Sequence, residues 1–210
     1  MARKDIAALA GSARLTRVRR GVSIAQRGEV LPGILAVADG LVKVALRRDA
    51  GAERVLRFVG PGETFGEAAV ILSRPSVVDA VALVDTVYLV LPASAIRALV
   101  ARHGGFARRL AMLLAKRMLS LLTEVEASEL RPAGERLAAY LLSLAQPRDG
   151  GDAWTACLPA TKTLVASRLG MKKETLSRLL HQFVGQRLIE VSRRDIAILD
   201  RAGLSKVAGP

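Results

Sequence analysis

The stretch that most restricts this chain is TKTLVASRLGMKKETLSRLLHQF, residues 161–183. Apolar residues recur at helical spacing on both sides of one Gly-Met step: Leu164, Val165 and Leu169 before it, Leu176, Leu179, Leu180 and Phe183 after it. This periodicity predicts two amphipathic helices, 161–170 and 172–189, joined by a tight turn at Gly170-Met171. Thr161 is placed to cap the first helix. Ala166 is small where the second helix must approach, and Gly185 is a bend or helix-end signal. LIEVSRRDIAIL (188–199) then reads as two alternating strands joined at Ser192-Arg193-Arg194-Asp195. Helix, turn, helix and hairpin make a winged helix-turn-helix, a module whose second helix enters the major groove of duplex DNA.

The charges of that second helix need a separate reason. The chain is strongly basic, with a formal net charge of +13 and a pI near 11.1, as befits a polyanion partner. Aromatic residues are only 3%, which argues against stacking on single-stranded nucleic acid. Yet Glu174 lies among Lys172, Lys173 and Arg178. A carboxylate can accept from a cytosine amino group, which no cation can do; a guanidinium can bond guanine O6 and N7 together. Glu174, Ser177 and Arg178 are i, i+3 and i+4, on one helix face, and are the candidate base readers. Lys172, Lys173, Thr175, Thr161, Lys162 and the hairpin pair Arg193 and Arg194 are the candidate phosphate contacts. The blander alternative is an i, i+4 salt bridge between Glu174 and Arg178 on a solvated helix.

Residues 12–92 read as short strands between turn signals at Arg20-Gly21, Gly28-Glu29, Asp39-Gly40, Asp49-Ala50-Gly51, Gly60-Pro61-Gly62 and Gly66. The strand-like runs LVKVAL (41–46), ERVLRFV (53–59) and DTVYLVL (85–91) suggest an all-β roll or barrel. Ser94 is a candidate cap for a short helix over 95–100. A long helix is expected from about 106 to 129. On it Ala107, Ala111, Leu114, Met118, Leu121, Val125 and Ser128 follow a heptad rhythm. We read Ala111, Leu114, Met118, Leu121 and Val125 as the seam of a parallel homodimer. Leu110, Leu113 and Leu122 lie off the seam and are placed to pack on the β domain; the alternative is a helix buried within one domain, against which Arg108, Arg109, Lys116 and Arg117 limit burial of the other faces. Arg131-Pro132 interrupts the pattern, and a further helix is expected over 132–145, with a turn at Asp149-Gly150-Gly151 and an extended segment over 154–160. The domain organisation is thus 1–105, 106–130 and 131–210. The lone Cys157 excludes an intrachain disulfide and a cysteine-held iron–sulfur cluster. No stretch reads as a signal peptide or membrane span, so the cytoplasm is the expected location and no membrane partner is expected.

RLGMKKETLSRLL (168–180) resembles the recognition helix of the Crp/Fnr superfamily of bacterial transcription regulators, with its E-x-x-S-R triplet. PGETFGEAAV (61–70) resembles that family's G-x-x-F-G-E motif. The resemblance covers nearly the whole chain. It implies an α+β protein: an N-terminal β-roll of the cyclic-nucleotide-binding type as sensor, a long dimerisation helix and a C-terminal winged helix-turn-helix. It also implies RNA polymerase as a partner. Carried over, Glu174, Ser177 and Arg178 resemble residues that read a TTGA-type half-site, which suggests an inverted repeat near TTGAT-N4-ATCAA.

For the effector, the resemblance points to Gly66, Glu67, Arg74, Ser76, Leu114, Leu121 and Leu122. The departures argue against a cyclic nucleotide. Pro75 stands where the phosphate-gripping Arg belongs, Arg74 is one residue early, and Leu121 and Leu122 replace adenine-facing hydroxyls. RLAAYLLSLA (136–145), LPATKTLVASRLG (158–170) and IAILDRAGL (196–204) look most like the dissimilatory nitrate respiration regulator branch, which is associated with haem and nitric oxide. Haem is therefore a candidate cofactor, and His103 the candidate iron ligand. His181, in the recognition helix, reads as a packing or surface residue. No clustered His and carboxylates, GxSxG or P-loop supports an enzyme. The alternatives are a cyclic-nucleotide-responsive regulator, a ligand-binding module acting on a protein partner, and a sequence-independent architectural DNA binder.

Overall fold

The structure is a computed structural model that describes residues 9–47, 53–147 and 153–209, with the side chains of 127–129 left out. The turns expected at 49–51 and 149–151, and the Ser128 side chain, lie outside the described residues. The chain divides into two compact units, Met1–Ser120 and Leu121–Pro210.

In the first unit, strands form over runs rich in Val, Ile, Leu and Ala, alternating with polar residues over 42–47 and 53–59 and nearly continuous over 33–39 and 86–92. β1 (Arg14–Val18), β8 (Thr86–Pro92), β3 (Gly33–Asp39) and β6 (Thr64–Phe65) make one four-stranded sheet in that order. β2 (Ser23–Ala25), β7 (Asp79–Ala82), β4 (Val42–Arg47) and β5 (Glu53–Val59) make a second. All pairings are antiparallel. The core holds Leu35, Val37, Val42, Val44, Val59, Phe65, Ala80 and Tyr88. A register shift between Val44 and Ala45 buries two successive side chains, which strict alternation forbids. Gly40, at φ 99°, lets β3 turn into β4: a Cβ there would lie 2.5 Å from Thr86 Oγ1.

Two helices close this unit, and the sequence reading differs on both. α1 (Glu67–Leu72) was not anticipated, because six residues are too few to show a period; Gly66 at φ 87° turns the chain into it. α2 spans Ala93–Arg102, and Ser94 does not cap it. The capping position is Pro92, whose fixed φ carries β8 straight into the helix, and Ala93 N–H donates to Pro32 O at 3.0 Å. α3 follows over Gly104–Leu130.

The second unit builds its core from Leu137 and Leu141 of α4 (Ala133–Leu144), Val165 and Ala166 of α5 (Lys162–Arg168), Leu176, Leu180 and Phe183 of α6 (Lys173–Gly185), and the sheet residues Ala156, Ile189, Ile196 and Ile198. The sheet order is β11 (Ile189–Ser192), β12 (Asp195–Ile198), β10 (Trp154–Cys157), β9 (Ala145–Pro147). α7 (Arg201–Ala208) is an addition to the sequence reading; Asp200 caps it, its Oδ1 accepting from Gly203 N at 2.8 Å.

Both helices of the helix-turn-helix end on the same device. After α5, Gly170 is left-handed at φ 64°; its N–H donates to Ser167 O and Met171 N–H to Ala166 O. After α6, Arg187 is left-handed at φ 56°; its N–H donates to Val184 O and Leu188 N–H to Phe183 O. This is the pairing of a Schellman ending. It stops α6 at Gly185 rather than at the expected 189, because Leu188 must fold back into the core.

Candidate nucleic-acid interface and effector site

Burial of Leu176, Leu180 and Phe183 fixes which face of α6 is turned outward. Glu174 and Arg178 are exposed and Ser177 half-buried beside them. Among the described residues, Glu174 and Arg178 make no ion pair with each other, so the salt-bridge alternative is not formed. A carboxylate acceptor, a hydroxyl and a guanidinium thus stand within one turn, each with hydrogen-bonding capacity to spare. His181 is exposed on this face, i+7 from Glu174, and is a surface rather than a packing residue.

The candidate phosphate contacts surround that face. Lys172 is the N-cap residue of α6 and Lys173 its first residue, both exposed; Thr175 is half-buried. Thr161 is exposed and caps α5 through Oγ1, which accepts from Leu164 N at 3.4 Å, while Lys162 is half-buried. Arg193 and Arg194 form the exposed tip of the β11–β12 hairpin, with Arg193 left-handed at φ 56°. Leu158 N–H donates to Arg194 O at 2.9 Å and anchors the tip. Behind the interface, Arg168 of α5 forms an ion pair with Glu124 of α3. Arg136 donates to Leu169 O at 3.1 Å and Arg131 O at 2.6 Å.

Like Asp79, which is 8% exposed and pairs with Arg47, Glu67 is a buried charge of the first unit, 3% exposed. It forms an ion pair with Arg117, which also donates to Thr64 O at 2.8 Å and Thr64 Oγ1 at 3.3 Å. Arg57 donates to the same carbonyl. Arg117 therefore does not belong to the solvated face the sequence assigned it. Burial raises the Glu67 pKa, but Arg117, the Thr64 hydroxyl and a backbone hydrogen bond outweigh that and hold it below the ordinary carboxylate value. Its Oε1 accepts no hydrogen bond among the described residues.

Glu67 and Thr64 line one end of a cavity of about 340 Å³. The rest of its wall is Leu9, Ile34 of β3, Leu91 of β8, Ile96 of α2, and Gly105, Phe106, Arg109, Leu110 and Leu113 of α3. Sequence reasoning picked only Glu67 of these for the effector site. The described wall is assembled from six separate elements, β3, β6, β8, α1, α2 and α3, besides Leu9, and only the closeness of Leu110 and Leu113 off the heptad seam could have hinted at it. A second, more polar cleft is lined by Arg57, Gly62, Glu63, Thr64, Leu113, Lys116, Arg117 and Ser120.

The other effector candidates lie elsewhere. Gly66 adjoins Glu67 as the N-cap of α1. Arg74 is exposed; Ser76 is buried and donates to Val78 O at 2.8 Å. Neither lines the cavity or the cleft. Leu114 is half-buried, and Leu121 and Leu122 are 45% and 57% exposed. Of the seam positions, Ala111, Met118, Leu121 and Val125 are exposed. His103 ends α2 and lines a separate hollow with Leu99 and Arg102. Among the described residues no three His, Cys, Asp or Glu side chains group to hold a metal, and no helix is long and apolar enough to cross a membrane.

Comparison with known proteins matches residues 15–103 to the cyclic nucleotide-binding domain and residues 135–207 to the Crp-like helix-turn-helix domain. The chain is 29% identical over 189 residues to the cyclic AMP receptor protein of Thermus thermophilus, covering 90% of this chain and 85% of that one. It is 25% identical over 200 residues to the transcriptional activator protein FnrA of Stutzerimonas stutzeri, covering 91% and 79%. The solved structure of FixK2 from Bradyrhizobium japonicum shares the fold, with a TM-score of 0.83 at 23% identity over 94% of this chain and 98% of that one.

Proposed function

Since the chain belongs to the Crp/Fnr family of DNA-binding transcription regulators, with an effector-binding domain ahead of its helix-turn-helix, we propose that it is a homodimeric, sequence-specific regulator acting in the cytoplasm on a TTGA-type inverted repeat. In this reading residues 1–105 are the sensor, 106–130 the dimerisation helix and hinge, and 131–210 the DNA-binding domain. Relatives in this family are transcription regulators and no enzymatic family is indicated.

The observation that carries the proposal is the open face of α6, where Glu174, Ser177 and Arg178 stand with their hydrogen-bonding groups uncommitted to one another. Two such faces on a two-fold dimer suit half-sites about one helical turn apart. Exposed Met118, Leu121 and Val125 on α3 supply an apolar stripe for the twin helix. The hairpin arginines and the lysines at the start of α6 add sequence-independent affinity and a steep salt dependence. RNA polymerase is the expected protein partner of the DNA-bound dimer.

Ligand binding to the first unit regulates DNA binding if the ligand prefers the DNA-competent state. Of the effectors suggested by sequence, haem as in the dissimilatory nitrate respiration branch requires an axial ligand. The described residues lining the 340 Å³ cavity include no His, Cys, Met or Tyr; the residues present do not fit haem there. A cyclic nucleotide requires a cation for its phosphate; Arg57 and Arg117 are bonded to Thr64 and Glu67, which leaves exposed Arg109 as the one guanidinium that the described wall of the cavity offers.

Fluorescence anisotropy with duplexes carrying TTGAT-N4-ATCAA and a scrambled site tests the reading. Arg178→Ala is expected to cost about 1–3 kcal/mol on the cognate duplex and to relax preference at one base. Lys172→Ala is expected to weaken both duplexes alike. Equal losses on both duplexes for both variants would remove the base-reading triplet and leave an architectural binder.

A further inference from the structure

The 340 Å³ cavity of the first unit lies at the small end of the range for small-molecule sites, about 300–1,000 Å³. Most of its described wall is apolar: Ile34, Leu91, Ile96, Phe106, Leu110 and Leu113. Two charged residues reach it. Arg109 is exposed, so solvent screens it. Glu67 is buried, held in its ionised form, and already neutralised by Arg117. An anionic group in this cavity would meet that carboxylate and give up its own hydration, with solvent-screened Arg109 the one cation in the described wall to offset the loss. A cationic group would compete with Arg117 for a carboxylate already engaged.

We propose that this cavity binds an uncharged, predominantly apolar small molecule of about two-ring size, and that this is the effector class of the protein. The proposal rests on the regulator reading above and sharpens it. Such a ligand touches β3, β8 and α2 on one side and the first half of α3 on the other. Its binding free energy comes from apolar surface removed from water. Because it contacts α3 directly, it can favour one position of that helix, which is the differential contact that regulation requires.

The test uses the full chain and the neutral fluorescent probe N-phenyl-1-naphthylamine. The expected result is a saturable fluorescence rise at one probe per chain. Unlabelled naphthalene should displace the probe. The anionic analogue 2-naphthoate should do so at least about tenfold less well, and cyclic AMP and haemin should not displace it at comparable concentrations. Leu113→Trp, at a half-buried position of the wall, should fill the cavity and abolish saturable binding with its melting transition retained. If that variant does not fold, the competition series decides alone. A non-saturating rise, displacement by 2-naphthoate as strong as by naphthalene, or unaltered binding by folded Leu113→Trp would overturn the proposal. Anisotropy with the cognate and scrambled duplexes, without probe, reports separately on the regulator reading. Saturable probe binding that leaves cognate-duplex affinity unchanged would keep the site and overturn its role as the effector site.

Discussion

At the scale of single residues, the chain treats two carboxylates in opposite ways. Glu174 is left exposed on the side of α6 proposed to read DNA, with no ion pair to Arg178 among the described residues. Glu67 is buried and committed to Arg117. Removing Arg117 would leave an uncompensated buried charge, so Arg117→Ala should cost about 3–5 kcal/mol in denaturant unfolding. The double variant Arg117→Ala with Glu67→Gln should recover part of that loss; no recovery would show that the two residues are not coupled. The pH dependence has a definite sign. The folded pKa of Glu67 is below its ordinary value, so folding favours the charged form. This stabilisation is complete above the ordinary carboxylate pKa and is lost as pH falls through the lowered folded value. Thermal melts from neutral pH downward should therefore show a smaller acid-side loss in Glu67→Gln than in the native chain.

At the scale of elements, the helix-turn-helix is shaped by its two helix ends. Gly170 takes the left-handed position after α5 at no steric cost, whereas Arg187 takes the equivalent position after α6 with a Cβ in the way. Arg187→Gly should therefore raise stability by up to about 1 kcal/mol, and Gly170→Ala should lower it by about 1–2 kcal/mol. Chemical denaturation of both variants checks the pair; a destabilised Arg187→Gly would mean that the arginine side chain makes up for its backbone strain. α3 makes a different kind of prediction. Met118 and Leu121 are 58% and 45% exposed, and a carboxylate at both positions should shift sedimentation from dimer to monomer while leaving the melting of the isolated folds nearly unchanged. Unchanged sedimentation would place the dimer contact elsewhere.

At the scale of the whole molecule, a net charge of +13 should give the chain some affinity for duplex DNA of any sequence. Discrimination would therefore depend on the few groups able to reach base edges, Glu174 and Ser177 among the cations and Arg178 through guanine. The observed affinity for scrambled duplex should fall steeply and linearly on a log–log salt plot. The cognate advantage should survive at salt concentrations that remove scrambled binding, because base-edge hydrogen bonds release no counterions. A specificity ratio that disappears with rising salt would favour the architectural alternative.

What the sequence determined by itself was local. Apolar period, Gly170 and the Ser192–Asp195 turn specify the winged helix-turn-helix, because each is settled by residues within a few positions of one another. The same holds for the long helix and for the interruption at Pro132. The exact end of α6 was not legible, since it depends on Leu188 folding into a core built partly by α4 and the sheet. α1 and α7 were missed because six and eight residues carry too little periodicity. Only the tertiary structure decided the chemistry of the first unit. Arg117 and Glu67 are fifty positions apart, and Arg117 looks like any other solvated helix cation until β6 and α1 bring Thr64 and Glu67 to it. The apolar cavity is likewise the joint product of three strands and three helices. Its volume and the largely apolar character of its wall are properties of packing at long range, which no single stretch of sequence contains.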